Sequence, residues 1–187
     1  MSGRFDSSKT LAGLGSILLT ISSAVPIIGV LGIILLLVGL RGLAGHFQEG
    51  GILVNGFYGF IFGILAIGLA TMMTYSMFFA VIGAMITNPN VIPAESVNIL
   101  DMILIIAVMF VFFLLEAIFF KRAFDLLAAK TETRMLKTAS WILVVGAALT
   151  IVIVGLLVLL VAWLVAAIAF LSMKPKKRTF DSPPLAP

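Results

Sequence analysis

Apolar residues fall into four blocks along the chain, Leu11–Leu40, Ile52–Ile86, Met102–Phe120 and Ala139–Ser172, parted by short polar stretches. None of them alternates with period two, and backbone groups in hydrocarbon must be satisfied within their own segment, so each block predicts α-helix. One crossing of a bilayer needs about 20 residues. The blocks hold 30, 35, 19 and 34, so only the third is an ordinary span. Block one carries its own turn signal, Ser22-Ser23-Ala24-Val25-Pro26, where proline ends one helix and opens the next. Its halves of about 15 residues are short for a full crossing. Block four offers only Gly155 near its middle. A turn of backbone in lipid is costly unless other helices cover it, so a single tilted helix of ~51 Å is the rival there.

Positive charge decides between the two counts, because Lys and Arg collect in short cytoplasmic loops. Of twelve, two precede block one or open it (Arg4, Lys9), one follows it (Arg41), and none lies between blocks two and three. Five lie between blocks three and four (Lys121, Arg122, Lys130, Arg134, Lys137) and four in the tail (Lys174, Lys176, Lys177, Arg178). Four single crossings divide them six and six. Hairpins in blocks one and four put all twelve on one side. The expected fold is therefore an all-α polytopic transmembrane bundle of six helices with two tight hairpins at the ends, and four long helices are the alternative. Both termini are expected on the cytoplasmic side of the cell membrane.

Composition agrees with that class. The chain is 62% hydrophobic and 11% charged, with mean hydropathy +1.27, where soluble domains are about half apolar and about a quarter charged. Three regions are expected: a polar arm (1–8), one transmembrane domain (9–173), and a basic, proline-rich tail (174–187) that cannot bury itself and is expected to be mobile. The cation-free stretch Thr87–Ser96 is expected outside. Lys121–Thr138 keeps Phe124, Leu127 and Leu136 among its charges and is expected to continue the third helix as an amphipathic turn or two. Arg4 and Lys9, the apolar run to Ile21, and Ser22-Ser23-Ala24 imitate a cleavable signal peptide, but the segment is read as retained.

Little remains for chemistry. The absence of cysteine removes disulfides, zinc-thiolate and iron-sulfur sites and thiol catalysis, and His46 is the only histidine. No metal and no cofactor is expected, and no catalytic motif is visible. Met72, Met73 and Met77 read as gap-filling packing rather than a soft copper(I) cluster. Two acids touch the apolar blocks. Asp101 sits at the outer boundary, and Glu116 lies ~6 Å inside the Lys121-Arg122 boundary by helix rise, a candidate proton site or an ion-pair partner for Arg41. Thr71, Thr74, Tyr75 and Ser76 form a candidate polar patch, although such hydroxyls also bond back to their own helix. Gly29, Gly32, Gly39 and Gly42 share one stripe of the second helix, and Gly59, Gly63, Ala66 and Ala70 one stripe of block two; small residues at this spacing are helix-contact faces. The phenylalanines Phe110, Phe112, Phe113, Phe119 and Phe120 read as lipid-facing bulk or filler against such a stripe, and Trp141 as an interfacial anchor.

The stretch Lys9-Thr10-Leu11-Ala12-Gly13-Leu14-Gly15-Ser16, the run Pro26–Gly39, Leu40-Arg41-Gly42-Leu43-Ala44-Gly45-His46-Phe47 with Asn55 and Tyr58-Gly59, and Gly146–Ile151 through Trp163 to Phe170 resemble domain-of-unknown-function family nine-nine-six. That family comprises small, largely archaeal membrane proteins. The resemblance runs from about Lys9 to Met173, implies a multi-pass membrane protein, and transfers no catalytic residue. The chain therefore reads as non-enzymatic, a structural or accessory subunit of a membrane complex, with a small transporter or channel using Glu116 and the Thr71 to Ser76 patch as the alternative. Its implied partners are the lipid bilayer and a larger membrane protein or further copies of itself. The four-cation tail suits lipid headgroups and is too small to argue nucleic-acid binding.

Overall fold

The break in block one falls where the proline predicts it. In the computed structural model, which describes residues 2–22, 26–87, 99–131, 133–152 and 154–174, α1 (Ser2–Ile21) ends at the serines and α2 (Pro26–Phe47) opens at the proline. Ser22 closes the end of α1 twice, its N–H donating to Leu18 O (2.9 Å) and its hydroxyl to Leu19 O (2.7 Å). Block two runs unbroken as α3 (Gly50–Thr87), and α4 (Ile99–Thr131) carries block three past Lys121 as the sequence predicts. Block four is broken as well, into α5 (Arg134–Ala148) and α6 (Val154–Ser172), with one 3-10 turn over Leu149–Val152 between them. Gly155 is what permits that turn, since a Cβ there would collide with Gly146 O and with the backbone of Leu149 and Thr150. Six helices and both terminal hairpins are present, and no strand occurs among the described residues. Among the described residues four helices, over 28–47, 50–87, 103–131 and 154–172, are long and apolar enough to cross a membrane.

Each helix packs antiparallel on its neighbour in sequence, and α6 returns onto α1, so the six close into a ring. Packing rather than hydrophobicity must hold it in lipid, and the closest approach is between α1 and α2. A Cβ on Gly15 would strike Leu36 N and Gly32 O (2.6 Å), and one on Gly39 would lie 2.8 Å from Ala12 Cα, so the two backbones touch. Inside the ring, Phe120, Phe124, Trp163 and Phe170 meet edge to face or tilted, with centroids 5.4 to 6.2 Å apart, over fully buried Leu36, Leu40, Leu127 and Leu136.

Two expectations change. The polar arm 1–8 is not separate, because α1 begins at Ser2 and buries Phe5 (2% exposed) against the rings of His46 and Phe47, at 4.9 and 5.9 Å. The hydroxyls of Ser7, Ser8 and Thr10 donate to carbonyls four residues earlier, so these polar residues continue the helix rather than end it. Two of the three methionines read as packing, Met72 and Met77, fill no gap, while Met73 is half-buried. Met72 is 71% exposed and Met77 is exposed, because α3 outruns its neighbours there. The tail beyond Lys174, and the Thr87–Ser96 loop apart from Thr87, lie outside the described residues.

Candidate functional site: a carboxyl in the ring

A half-open cavity of about 250 Å³ lies between the helices, and all six contribute to it, among them Leu19 of α1 with Ser22 just beyond its end, Gly29 of α2, Ile67 of α3, Glu116 of α4, Ala147 of α5 and Trp163 of α6. Its walls are otherwise apolar. The Ser22 hydroxyl already donates to Leu19 O, which leaves the Glu116 carboxyl as the one ionisable group among the described lining residues. That carboxyl folds against α3 at Gly63, where a Cβ would lie 2.8 Å from Glu116 Oε1 and 3.0 Å from Ile33 Cδ1. Gly63 is thus the space the acid occupies. Glu116 takes part in none of the ion pairs among the described residues, which are Lys9 with Asp6, Lys121 with Asp125 and Lys130 with Glu49. An apolar pocket with one convergent polar group is the ordinary form of a small-ligand site.

Residues 28–164, well over half of the chain, match the family described as Protein of unknown function (DUF996). The chain belongs to that family. No curated protein and no solved structure matches it. The matched region runs from α2 into α6 and holds both glycine stripes, Glu116 and Trp163 of this DUF996 chain, and it is shorter than the stretch over which the sequence shows the resemblance.

The other sequence candidates of this DUF996 chain separate into those the ring uses and those it leaves outside. Gly29 faces Ser22, Gly32 faces Gly15 and Gly39 faces Ala12, so the α2 stripe is the α1 contact. Gly59 takes the Phe120 ring at 3.0 Å, and with Gly63 it makes an internal contact to α4 rather than a dimer face. Arg41 is exposed on α2 and does not meet Glu116. By the contacts of Gly56 with Leu40 and Gly63 with Ile33, it lies ~12 Å further toward the basic end. Thr71, Thr74 and Ser76 donate to Ile67 O, Ala70 O and Met73 O, and with Tyr75 they are exposed on α3 above Ile67, and none of them lines the cavity. Asp101 falls in the first turn of α4, and its side chain lies outside the described residues. Among the described residues no group of three or more His, Asp or Glu could hold a metal ion.

Sequence reasoning missed a polar tie at the basic end. Asp125 pairs with Lys121 one turn earlier and accepts from the Ser140 hydroxyl (2.7 Å), so it joins α4 to α5; Lys121 also stands over the Trp141 ring at 4.5 Å. The i,i+4 spacing of Lys121 and Asp125 is legible, but the third partner, fifteen residues on, is not.

Proposed function

We propose that the protein is a non-enzymatic accessory subunit of a membrane complex, with both termini cytoplasmic, in the cell membrane. The observation that supports this is the free part of the α3–α4 pair. α3 and α4 continue well beyond the other four helices; Gly83 in that overhang and Gly68 near the level of the hairpin turns have open space where a Cβ would stand, on the same exposed side as Met72, Tyr75 and Phe79. Gly59 and Gly63 lower on α3 are filled by Phe120 and Glu116, whereas these two are unfilled. Small residues on a lipid-facing helix suit close approach of another transmembrane helix. Purification from native membranes is expected to give defined stoichiometric partners that are lost from the Gly68→Leu/Gly83→Leu variant. A chain that migrates alone, or partners indifferent to those substitutions, would overturn the reading.

A second reading rests on Glu116. A carboxyl that forms no ion pair among the described residues, on a cavity touched by every helix, is an arrangement a small transporter or channel can use. The Thr71 to Ser76 patch does not line that cavity, and the Thr71, Thr74 and Ser76 hydroxyls bond back to carbonyls of their own helix. Reconstituted protein whose proton flux is abolished by Glu116→Gln and unchanged by Thr71→Val would favour this reading over the first.

A further inference from the structure

We propose that only α3 and α4 cross the bilayer completely, and that the α1–α2 and α5–α6 hairpins are set in the basic-side leaflet alone, their turns near the midplane and covered by hydrocarbon of the opposite leaflet. Length does not settle depth, because α2 and α6 are long enough to span and still end early. Contacts supply the common scale. Glu116, Gly63 and Ile33 lie at one level. From there α2 continues ~10 Å to Pro26, whereas α4 continues ~26 Å to Ile99 and α3 ~36 Å to Thr87. Ser22 stands opposite Gly29, at the height of the α2 start. On the other side, Trp163 is level with Phe120, and α6 rises only ~14 Å above it before Val154.

The basic boundary fixes where that scale sits in the membrane. Lys121 over the exposed Trp141, with exposed Arg122 and Arg41, marks an interfacial girdle, and below it lie the Lys9–Asp6 and Lys130–Glu49 pairs. Measured from Lys121, the tip of α4 is ~33 Å up, a full hydrocarbon thickness, while the two turns are ~16–18 Å up, about half of one. Above the turns the α3–α4 surface is exposed and apolar through Phe79, Leu100 and Leu104, as a lipid-facing pair must be. Bringing the turns to the far interface would sink the molecule by ~12–14 Å, which drives Arg41 and Arg122 into hydrocarbon and lifts those apolar ends into water. Irregular backbone at membrane depth is tolerated only where its polar groups are met. Among the described residues beside the turns, the Ser22 hydroxyl donates to Leu19 O and the Thr150 hydroxyl to Ala147 O (2.7 Å), while Gly155 lets the Leu149–Thr150 backbone pack closely.

The test uses the full chain in phosphatidylcholine/phosphatidylglycerol vesicles. Native fluorescence comes first, since Trp141 is exposed and Trp163 is buried. With Trp163→Phe isolating Trp141, lipids brominated near the headgroup are expected to quench at least twofold more than lipids brominated near the chain ends, whereas a six-crossing arrangement puts Trp141 deep and reverses the order. Because the chain has no cysteine, nitroxides on Ser22→Cys and Thr150→Cys then read the turns. Both are expected within ~5 Å of the midplane by oxygen against nickel-chelate collision, far from reference labels at Thr87→Cys and Thr138→Cys. Either turn at headgroup depth, or stronger quenching by the deep bromines, overturns the proposal, and the tryptophan measurement stands even if a cysteine variant misfolds.

Discussion

Glycine has two distinct uses in this molecule, and substitution separates them. At Gly15 an added methyl meets backbone of α2, which cannot move without parting the hairpin; at Gly63 it meets the end of the Glu116 side chain and the tip of Ile33, which can turn aside. Gly15→Ala is expected to cost ~2 kcal/mol or more, as overpacking does. Gly63→Ala should stay within about 1 kcal/mol of the parent, since alanine recovers helix propensity there. Denaturant unfolding in detergent micelles checks both. The positions of the contact glycines were legible from spacing alone, but which glycine faces backbone and which faces an acid was not, because that depends on the partner helix. The same limit explains Glu116 and Arg41. Sequence places both near one boundary, while the helix register leaves them ~12 Å apart in height. A double-mutant cycle with Glu116→Gln and Arg41→Gln is expected to give a coupling below ~0.5 kcal/mol, where a direct pair in a dry site would exceed it.

At the scale of elements, the breaks are where polar and small residues allow them. Ser22 and Pro26 announced the first. The second rested on Gly155 alone, and the sequence concealed its other half: Thr150 takes up a carbonyl, and Gly146 lets Leu159 approach its Cα from α6. The α2–α3 junction shows the backbone chemistry most plainly. Gln48 sits at φ 52 and Glu49 N–H reaches back to Ala44 O (3.0 Å), a helix ending that favours glycine at the left-handed position. Gln48→Gly is expected to stabilise the protein by about 0.5–1 kcal/mol, the relief of the left-handed cost outweighing the entropy glycine adds to the unfolded chain. At the α4–α5 junction, Ser140→Ala should cost ~1–2 kcal/mol in thermal unfolding by leaving Asp125 one donor short, whereas Asp125→Asn, which keeps an oxygen to accept from Ser140, should cost less, losing only the charge opposite Lys121.

For the whole molecule, the distribution of twelve cations was enough to give six helices and two terminal hairpins, since charge sorting is a global constraint written in local residues. It could not give the closed ring, the cavity or the depth of the turns, which follow from how far each helix slides along its neighbour. Those offsets are set by side chains that read identically as apolar in one dimension. The aromatic centre holds the ring shut, and Phe124→Ala, which removes contacts with Trp163 and Phe170 together, is expected to cost ~3–5 kcal/mol and to lower the unfolding midpoint in micelles accordingly.

The overhang of α3 and α4 also gives the protein a shape. Six helices stand in one half of the bilayer and two in the other, and at a diameter of ~10 Å per helix the cross-sections differ by about 300 Å². Such a body is a wedge. Crowded into a flat sheet it pushes the wider side apart, so its resting place is membrane already bent convex toward the cations, and in tubulated vesicles it should gather where the surface curves that way.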